Sequence, residues 1–171
     1  MPGVVVYESM FGCTRAVAEA IAAGMTSAGL PSAALAVDDE RAGSDAVRRA
    51  RLLVVGAPTH MRGLSTPASR ALARTRGGSG GPGLHEWLDA LPDVAGRPTA
   101  VFDTRSWSRF SGSAATRVEK LLLRRGADLV APAQAFGVEG GEGRATISGS
   151  QLDLARAWGA SLAAHVVTGV A

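Results

Sequence analysis

Three short segments of this 171-residue chain hold hydroxyls, glycines and potential backbone donors in patterns suited to ligand binding. The first is Ser9-Met10-Phe11-Gly12-Cys13-Thr14, placed between an apolar run and a helical pattern. A loop that joins a strand end to a helix start presents unpaired N–H groups, and the helix dipole adds partial positive charge there. Hydroxyls at Ser9 and Thr14 add donors, and Gly12 permits a left-handed turn or a close backbone approach. Such a segment can cradle a phosphate without a lysine. The plainer alternative is that Ser9 or Thr14 only caps the helix. No Gly-Lys-Ser/Thr follows, and the G-x-G-x-x-G spacing is missing, so neither nucleotide-loop signature is present. Without that glycine pattern, Asp38 and Asp39 read as a polar turn rather than as ribose ligands.

The second segment is Pro58-Thr59-His60-Met61-Arg62-Gly63. Pro58 restricts the backbone and Gly63 permits a turn, so His60 and Met61 can lie against a planar ring with amides facing its polar edge. A solvated loop histidine is the alternative for His60. The third runs from Asp103, Thr104, Arg105 and Ser106 through Trp107 to Ser113. A tryptophan past a strand end stands out in a chain with 5% aromatic residues, and its ring is a stacking platform or a packing seal. Cys13 is either a redox-sensitive thiol at a helix start or a small residue lending its N–H to the loop.

The elements that position these segments follow from periodicity. Gly3–Tyr7, Leu52–Ala57 and Pro98–Asp103 are apolar without alternation, as in strands buried on both faces. Ala33–Val37 is a further strand, and Asp128–Val138 holds a fifth, interrupted near Pro132. Helical patterns span 14–28, 44–50, 67–74, 84–91, 113–125 and 152–167, with Gly29 placed to end the first. The stretch Arg76–Gly83, RGGSGGPG, reads as a flexible surface loop and not as a domain boundary. The alternation implies one α/β domain over residues 1–171, a parallel sheet covered on both faces. In such sheets ligands bind beyond the carboxyl ends of the strands, where all three segments fall.

Composition narrows the classes. Hydrophobic residues make 46% and charged residues 19%, a globular balance. Eighteen basic residues against fifteen acidic give a formal charge of +3, but the arginines are scattered, Lys120 is the only lysine, and no nucleic-acid patch emerges. One cysteine excludes an intramolecular disulfide and fits a reducing compartment. The start lacks a basic n-region, and no apolar run approaches the roughly 20 residues that cross a bilayer. A soluble cytoplasmic protein with no membrane contact is the expectation.

Taken together, SMFGCT after the first strand, VVGAPTHMRG at the third and VFDT followed by Gly112-Ser113 at the fourth resemble the flavodoxin family across nearly the whole chain. That family's phosphate loop is Ser/Thr-x-Thr-Gly-x-Thr; Ser9, Gly12 and Thr14 match it, while Phe11 and Cys13 depart from it. The resemblance implies a flavodoxin-like three-layer sandwich, a five-stranded parallel sheet of order 2-1-3-4-5 with helices on both faces, and non-covalent FMN. It implies phosphate contacts from Ser9 to Thr14, and ring contacts from Pro58 to Gly63 and from Asp103, Thr104, Arg105 and Trp107. Electron transfer to a redox partner protein or small-molecule acceptor follows as the expected role. An FMN-dependent NAD(P)H:quinone-type reductase, and a binding or regulatory domain that has lost flavin, are the alternatives. Electron-shuttling members are strongly acidic; this chain is net basic. A response-regulator role fails, since the third strand ends Gly56-Ala57-Pro58 with no phosphoryl-accepting Asp. Oligomeric state has no signature.

Overall fold

The computed structural model describes residues 2–59, 63–91, 93–106, 112–140 and 144–168. Strands β1 (Gly3–Tyr7), β2 (Ser32–Ala36), β3 (Leu52–Pro58) and β4 (Pro98–Arg105) are joined by parallel pairing in the order β2-β1-β3-β4. The expected interruption near Pro132 splits the edge strand into β5 (Asp128–Leu129) and β6 (Gln134–Gly137), and both halves pair with β4. Pro132 has no N–H to give a ladder, so an edge is where it is tolerated. The order is therefore 2-1-3-4-5, as expected.

Among the described residues, six α-helices cover the sheet: α1 (Cys13–Ser27), α2 (Ser44–Arg49), α3 (Pro67–Thr75), α4 (Leu84–Asp89), α5 (Ala114–Arg124) and α6 (Gly149–Thr168). Successive strand residues point to opposite faces. Val5, Tyr7, Leu52, Val54 and Phe102 pack with Val17, Ile21 and Met25 of α1 and Leu162 of α6. Val4, Val6, Leu53, Val55 and Val101 face the other way, against Val47, Leu88, Val118 and Leu122. This double burial is why the central strands carry no polar alternation.

With few aromatics, the core depends on close backbone approach. A Cβ at Gly56 would lie 2.0 Å from the Phe102 ring, so the absence of a side chain there lets that ring lie over β3 on the α1–α6 face. Phe102 meets Phe136 edge-on at 6.0 Å, and Phe136 meets Trp158 of α6 at 6.1 Å. No helix among the described residues is long and apolar enough to cross a membrane.

Candidate functional site

The loop after β1 is shaped by its own side chains and by the glycine-rich segment before α4. The Glu8 N–H donates to the Gly56 carbonyl at 3.0 Å, prolonging the β1–β3 ladder by one residue. Gly12 then adopts φ 94°, a left-handed conformation in which a Cβ is strained. Its N–H donates to Ser9 Oγ at 3.1 Å. Helix α1 begins at Cys13 with no side-chain cap and no acidic residue in its first turn. By contrast, α3 carries a Thr66–Ser69 capping box and α5 is capped by Ser113. The simple-cap alternative for Ser9 and Thr14 therefore does not describe this turn, and the first amides of α1 remain donors at the positive end of the helix dipole.

The segment read as a free surface loop holds this turn in place. Ser79 N–H donates to the Met10 carbonyl at 2.9 Å, and its Oγ donates to the Ser9 carbonyl at 2.8 Å. Phe11 is half-buried with its ring edge against Gly78, where a Cβ would come within 2.8 Å of it. Met10 is buried. The Cys13 thiol donates to the Ala145 carbonyl at 3.2 Å, and burial pushes its pKa above the ordinary thiol value. That environment opposes thiolate formation.

The loops after β3 and β4 are tied to each other by a buried carboxylate. Asp103 is fully buried at the end of β4. Its Oδ2 accepts from Thr59 Oγ1 at 3.0 Å, Ser113 Oγ at 2.9 Å and the Ala115 N–H at 3.2 Å. Thr59 Oγ1 in turn accepts the Ala114 N–H at 3.0 Å, and the Thr59 N–H donates to the Thr104 carbonyl at 2.9 Å. Arg105 Nε stands 3.4 Å from Asp103 Oδ1, an ion-pair contact without hydrogen-bond geometry, and Arg105 Nη1 donates to the Gly112 carbonyl at 3.3 Å. The negative charge thus sits at the N-terminus of α5, where the helix dipole favours it. Pro58 closes β3 opposite Thr104, and Gly63 is half-buried. His60, Met61, Arg62 and Trp107 lie outside the described residues.

Among the described residues, a hydroxyl pair links the first loop to the end of β4. The Thr14 and Thr104 hydroxyls lie 2.8 Å apart, both buried. Thr14→Val keeps the shape but leaves the Thr104 hydroxyl without its partner, so a loss of about 1–2 kcal/mol is expected. The double variant Thr14→Val/Thr104→Val should lose less than the sum of the single changes. Urea denaturation of the three variants checks this.

Two residues of this region carried no role of their own in the sequence: Glu8 entered only as the first residue of the loop after the first strand, and Arg70 only within a helical pattern. Glu8, only 4% exposed, accepts the Leu84 N–H on Oε2 at 2.7 Å, while its Oε1 has no partner. Arg70, 7% exposed, donates to Ser65 Oγ at 2.9 Å and pairs with Glu86. The one local signal was an acid immediately after an apolar strand. Beside them, a cavity of about 290 Å³ opens between the ends of β1 and β2, lined by Tyr7, Glu8, Met10, Arg15, Asp38 and Ser79 among others. Burial, more than any neighbouring charge, raises the Tyr7 pKa; Arg15 opposes this, while Glu19, Asp38 and Asp39 add to it. Asp39 accepts the Arg41 N–H at 2.8 Å and opens a 3-10 turn over Glu40–Ala42, as a polar turn should.

A parallel sheet whose order reverses beside β1, with ligand-suited loops after β1, β3 and β4, defines the doubly wound α/β class with its crevice at the switch point. Within that class, the flavodoxin family model matches residues 5–159, and the chain belongs to the flavodoxin family. An archaeal flavodoxin superposes with a TM-score of 0.69 at 21% identity, covering 98% of this chain and 99% of the other. Flavodoxin 1 from Bacillus cereus gives 0.70 at 18% identity over 100% of both chains. A two-electron reduced flavodoxin from Megasphaera elsdenii gives 0.64 at 17% identity, with 94% and 98% covered. No curated protein sequence matches the chain.

Proposed function

We propose that this chain is a flavodoxin-type redox protein that binds FMN non-covalently at the crevice formed by the three loops. The observation that carries this reading is the uncapped start of α1 behind left-handed Gly12, at the switch point of the sheet. That donor set fits a phosphate dianion: helix amides, the Ser9 hydroxyl, and a backbone shape that removes any side chain from the approach. In this reading residues 9–14 hold the phosphate, with Thr14 fixed by its bond to Thr104. Pro58, Thr59 and Gly63, with His60, Met61 and Arg62, form one wall of the ring site. Asp103, Thr104 and Arg105, with Trp107, form the other. Asp103 acts through Thr59 and Ser113, which it orients, since its Oδ2 is already occupied by protein donors.

FMN, when bound, supplies one- and two-electron chemistry, while the protein sets its affinity and potential through hydrogen bonds and ring contacts. The formal charge of +3 favours a redox partner with an acidic face, or a small-molecule acceptor, over the basic partners that acidic shuttles dock with. A single domain spanning residues 1–171 and a cytoplasmic setting complete the proposal; both suit one continuous sheet and a lone cysteine.

Titrating flavin-free protein into FMN should quench the flavin fluorescence to a 1:1 end point. Riboflavin, lacking the phosphate, should bind at least about tenfold more weakly. Gly12→Ala should weaken FMN about tenfold while changing riboflavin little, because the strain of about 1–2 kcal/mol falls on the phosphate loop. Absence of quenching, or equal affinity for FMN and riboflavin, would refute the proposal.

A further inference from the structure

We propose that the β2 edge of the sheet is an interaction surface, and that its partner is a second copy of this chain paired antiparallel to it. Among the described residues, β2 pairs with β1 on one side and with no strand on the other. The backbone groups of alternate residues in such a strand point to opposite sides. The Gly3 N–H donates to the Pro31 carbonyl at 2.9 Å, and the Val37 N–H donates to the Tyr7 carbonyl at 3.0 Å. The odd-numbered residues of β2 therefore face β1, and Ser32, Ala34 and Ala36 present their backbone groups outward. Two of those outward groups are used within the chain. The Ser32 N–H donates to Thr26 Oγ1 at 3.1 Å, and the Ala36 carbonyl accepts the Asp39 N–H at 2.9 Å. What remains is the Ser32 carbonyl, both groups of Ala34 and the Ala36 N–H.

That set is complementary to itself. A two-fold axis beside Ala34 lets the two copies of Ala34 exchange both of their bonds, and brings each Ala36 N–H to the other copy's Ser32 carbonyl. The groups this register leaves over, the Ser32 N–H and the Ala36 carbonyl, are the two already held inside each chain. Native sheets blunt their free edges with charges, prolines or bulges. The far edge is blunted: it breaks at Pro132, and the Ala133 N–H is taken by Glu119 at 2.8 Å. Ser32–Ala36 holds no charge and no proline, and keeps an unbroken register with β1. The helix above the edge fits the same pairing. Helix α1 packs over β1 and β2, so joined edges set the two α1 axes about two strand spacings apart, or about 10 Å, a distance at which helices pack. Ala22, Ala23, Thr26 and Ser27 line the shallow groove between α1 and β2, and their small side chains permit that approach. Its one charged lining residue, Glu19, is neutralised by Arg15 at 2.8 Å.

The test is amide hydrogen exchange of the unmodified protein at about 10 μM and about 1 mM, with sedimentation velocity on the same samples. The mass should move toward the dimer at the higher concentration, and the Ala34 and Ala36 amides should exchange several-fold more slowly there. The Ser32 amide, already held by Thr26, should change little. Ala34→Pro removes the central donor, and an edge strand tolerates it because that N–H gives nothing to β1. This variant should stay monomeric at both concentrations. Ala23→Lys places bulk and charge between the two α1 helices, and a lysine four residues after Glu19 suits the helix itself, so the dimer should weaken at least about tenfold with the fold intact. Three results would overturn the proposal: a single monomeric species at the higher concentration, a dimer whose Ala34 and Ala36 amides exchange as in the monomer, or a folded Ala34→Pro that dimerises like the parent. Should Ala34→Pro fail to fold, undiminished dimerisation in Ala23→Lys overturns it alone. None of these readouts depends on whether the chain takes FMN.

Discussion

Gly24→Ala is expected to destabilise the protein by about 2 kcal/mol, the reverse of what the same change does in an exposed helix. Alanine is the better helix former by about 1 kcal/mol, so propensity alone predicts a gain. The helix crossing decides otherwise. A Cβ on Gly24 of α1 would stand 2.0 Å from the Arg156 carbonyl oxygen of α6, and one on Gly159 would stand 2.2 Å from the Ile21 carbonyl oxygen. Both obstacles are backbone atoms inside regular helices, so neither can swing aside as a side-chain tip can. Relief requires the two axes to move apart by about 1 Å, and interiors packed at crystal-like density lose dispersion contacts steeply at that separation. The residues that lose are Val17, Ile21 and Met25 on α1 with Ala155, Leu162 and Ala163 on α6, all buried. Gly159→Ala should cost a similar amount. The double variant should cost clearly less than the sum, because one displacement accommodates both methyl groups. Equilibrium urea unfolding measures all three. A neutral or stabilising Gly24→Ala would show that the helices do not meet at this distance.

That crossing also shows where sequence reading stops. The strands were legible because burial on both faces removes polar alternation, and β1 falls at Gly3–Tyr7, as its composition indicates. The edge-strand interruption was legible because Pro132 lacks an N–H. The start of α6 moved from residue 152 to Gly149, because a local cap, the Gln151 N–H donating to Ser148 Oγ at 3.4 Å, carries the helix into a Gly-Ser stretch that has no apolar period of its own. Gly24 and Gly159 each read as one more small residue in a glycine-rich chain, since a close contact between distant segments leaves no local pattern. The same holds for Thr14 with Thr104, 90 residues apart, and Glu8 with Leu84, 76 apart. Residues 9–14 announced their chemistry through type and spacing at one turn. Asp103, Thr59 and Ser113 announced theirs only as polar residues in loops, and their convergence needed the sheet register. Arg76–Gly83 was misleading for a related reason: glycine richness says what conformations a segment can adopt, not what its carbonyls and hydroxyls will meet.

Asp103→Ala should lower stability by about 3–5 kcal/mol, the range for breaking a buried, partnered carboxylate. The carboxylate is fully buried, and its Oδ2 alone takes the Thr59 hydroxyl, the Ser113 hydroxyl and the Ala115 amide. Removing it strands those donors in the interior and leaves Arg105, 3.4 Å away, without its counter-charge. It also removes the negative charge that favours the N-terminus of α5. Asp103→Asn keeps one carbonyl acceptor and the shape, so a loss of about half that size is expected. The two variants separate folding from binding. Asp103→Asn should stay folded, yet Thr59 and Ser113 then sit on loops no longer drawn to one charged atom, and FMN affinity should fall about tenfold or more. Thr59→Val, which removes one donor and leaves the carboxylate, should lower FMN affinity less and stability by about 1–2 kcal/mol. Urea unfolding and fluorescence titration on the same samples give both numbers. An Asp103→Ala protein within about 1 kcal/mol of the parent would mean that the α5 N-terminus and the two loops are held by backbone packing alone. Loss of stability with FMN affinity intact in Asp103→Asn would mean that the ring walls take their shape from β3 and β4 and not from the carboxylate between them.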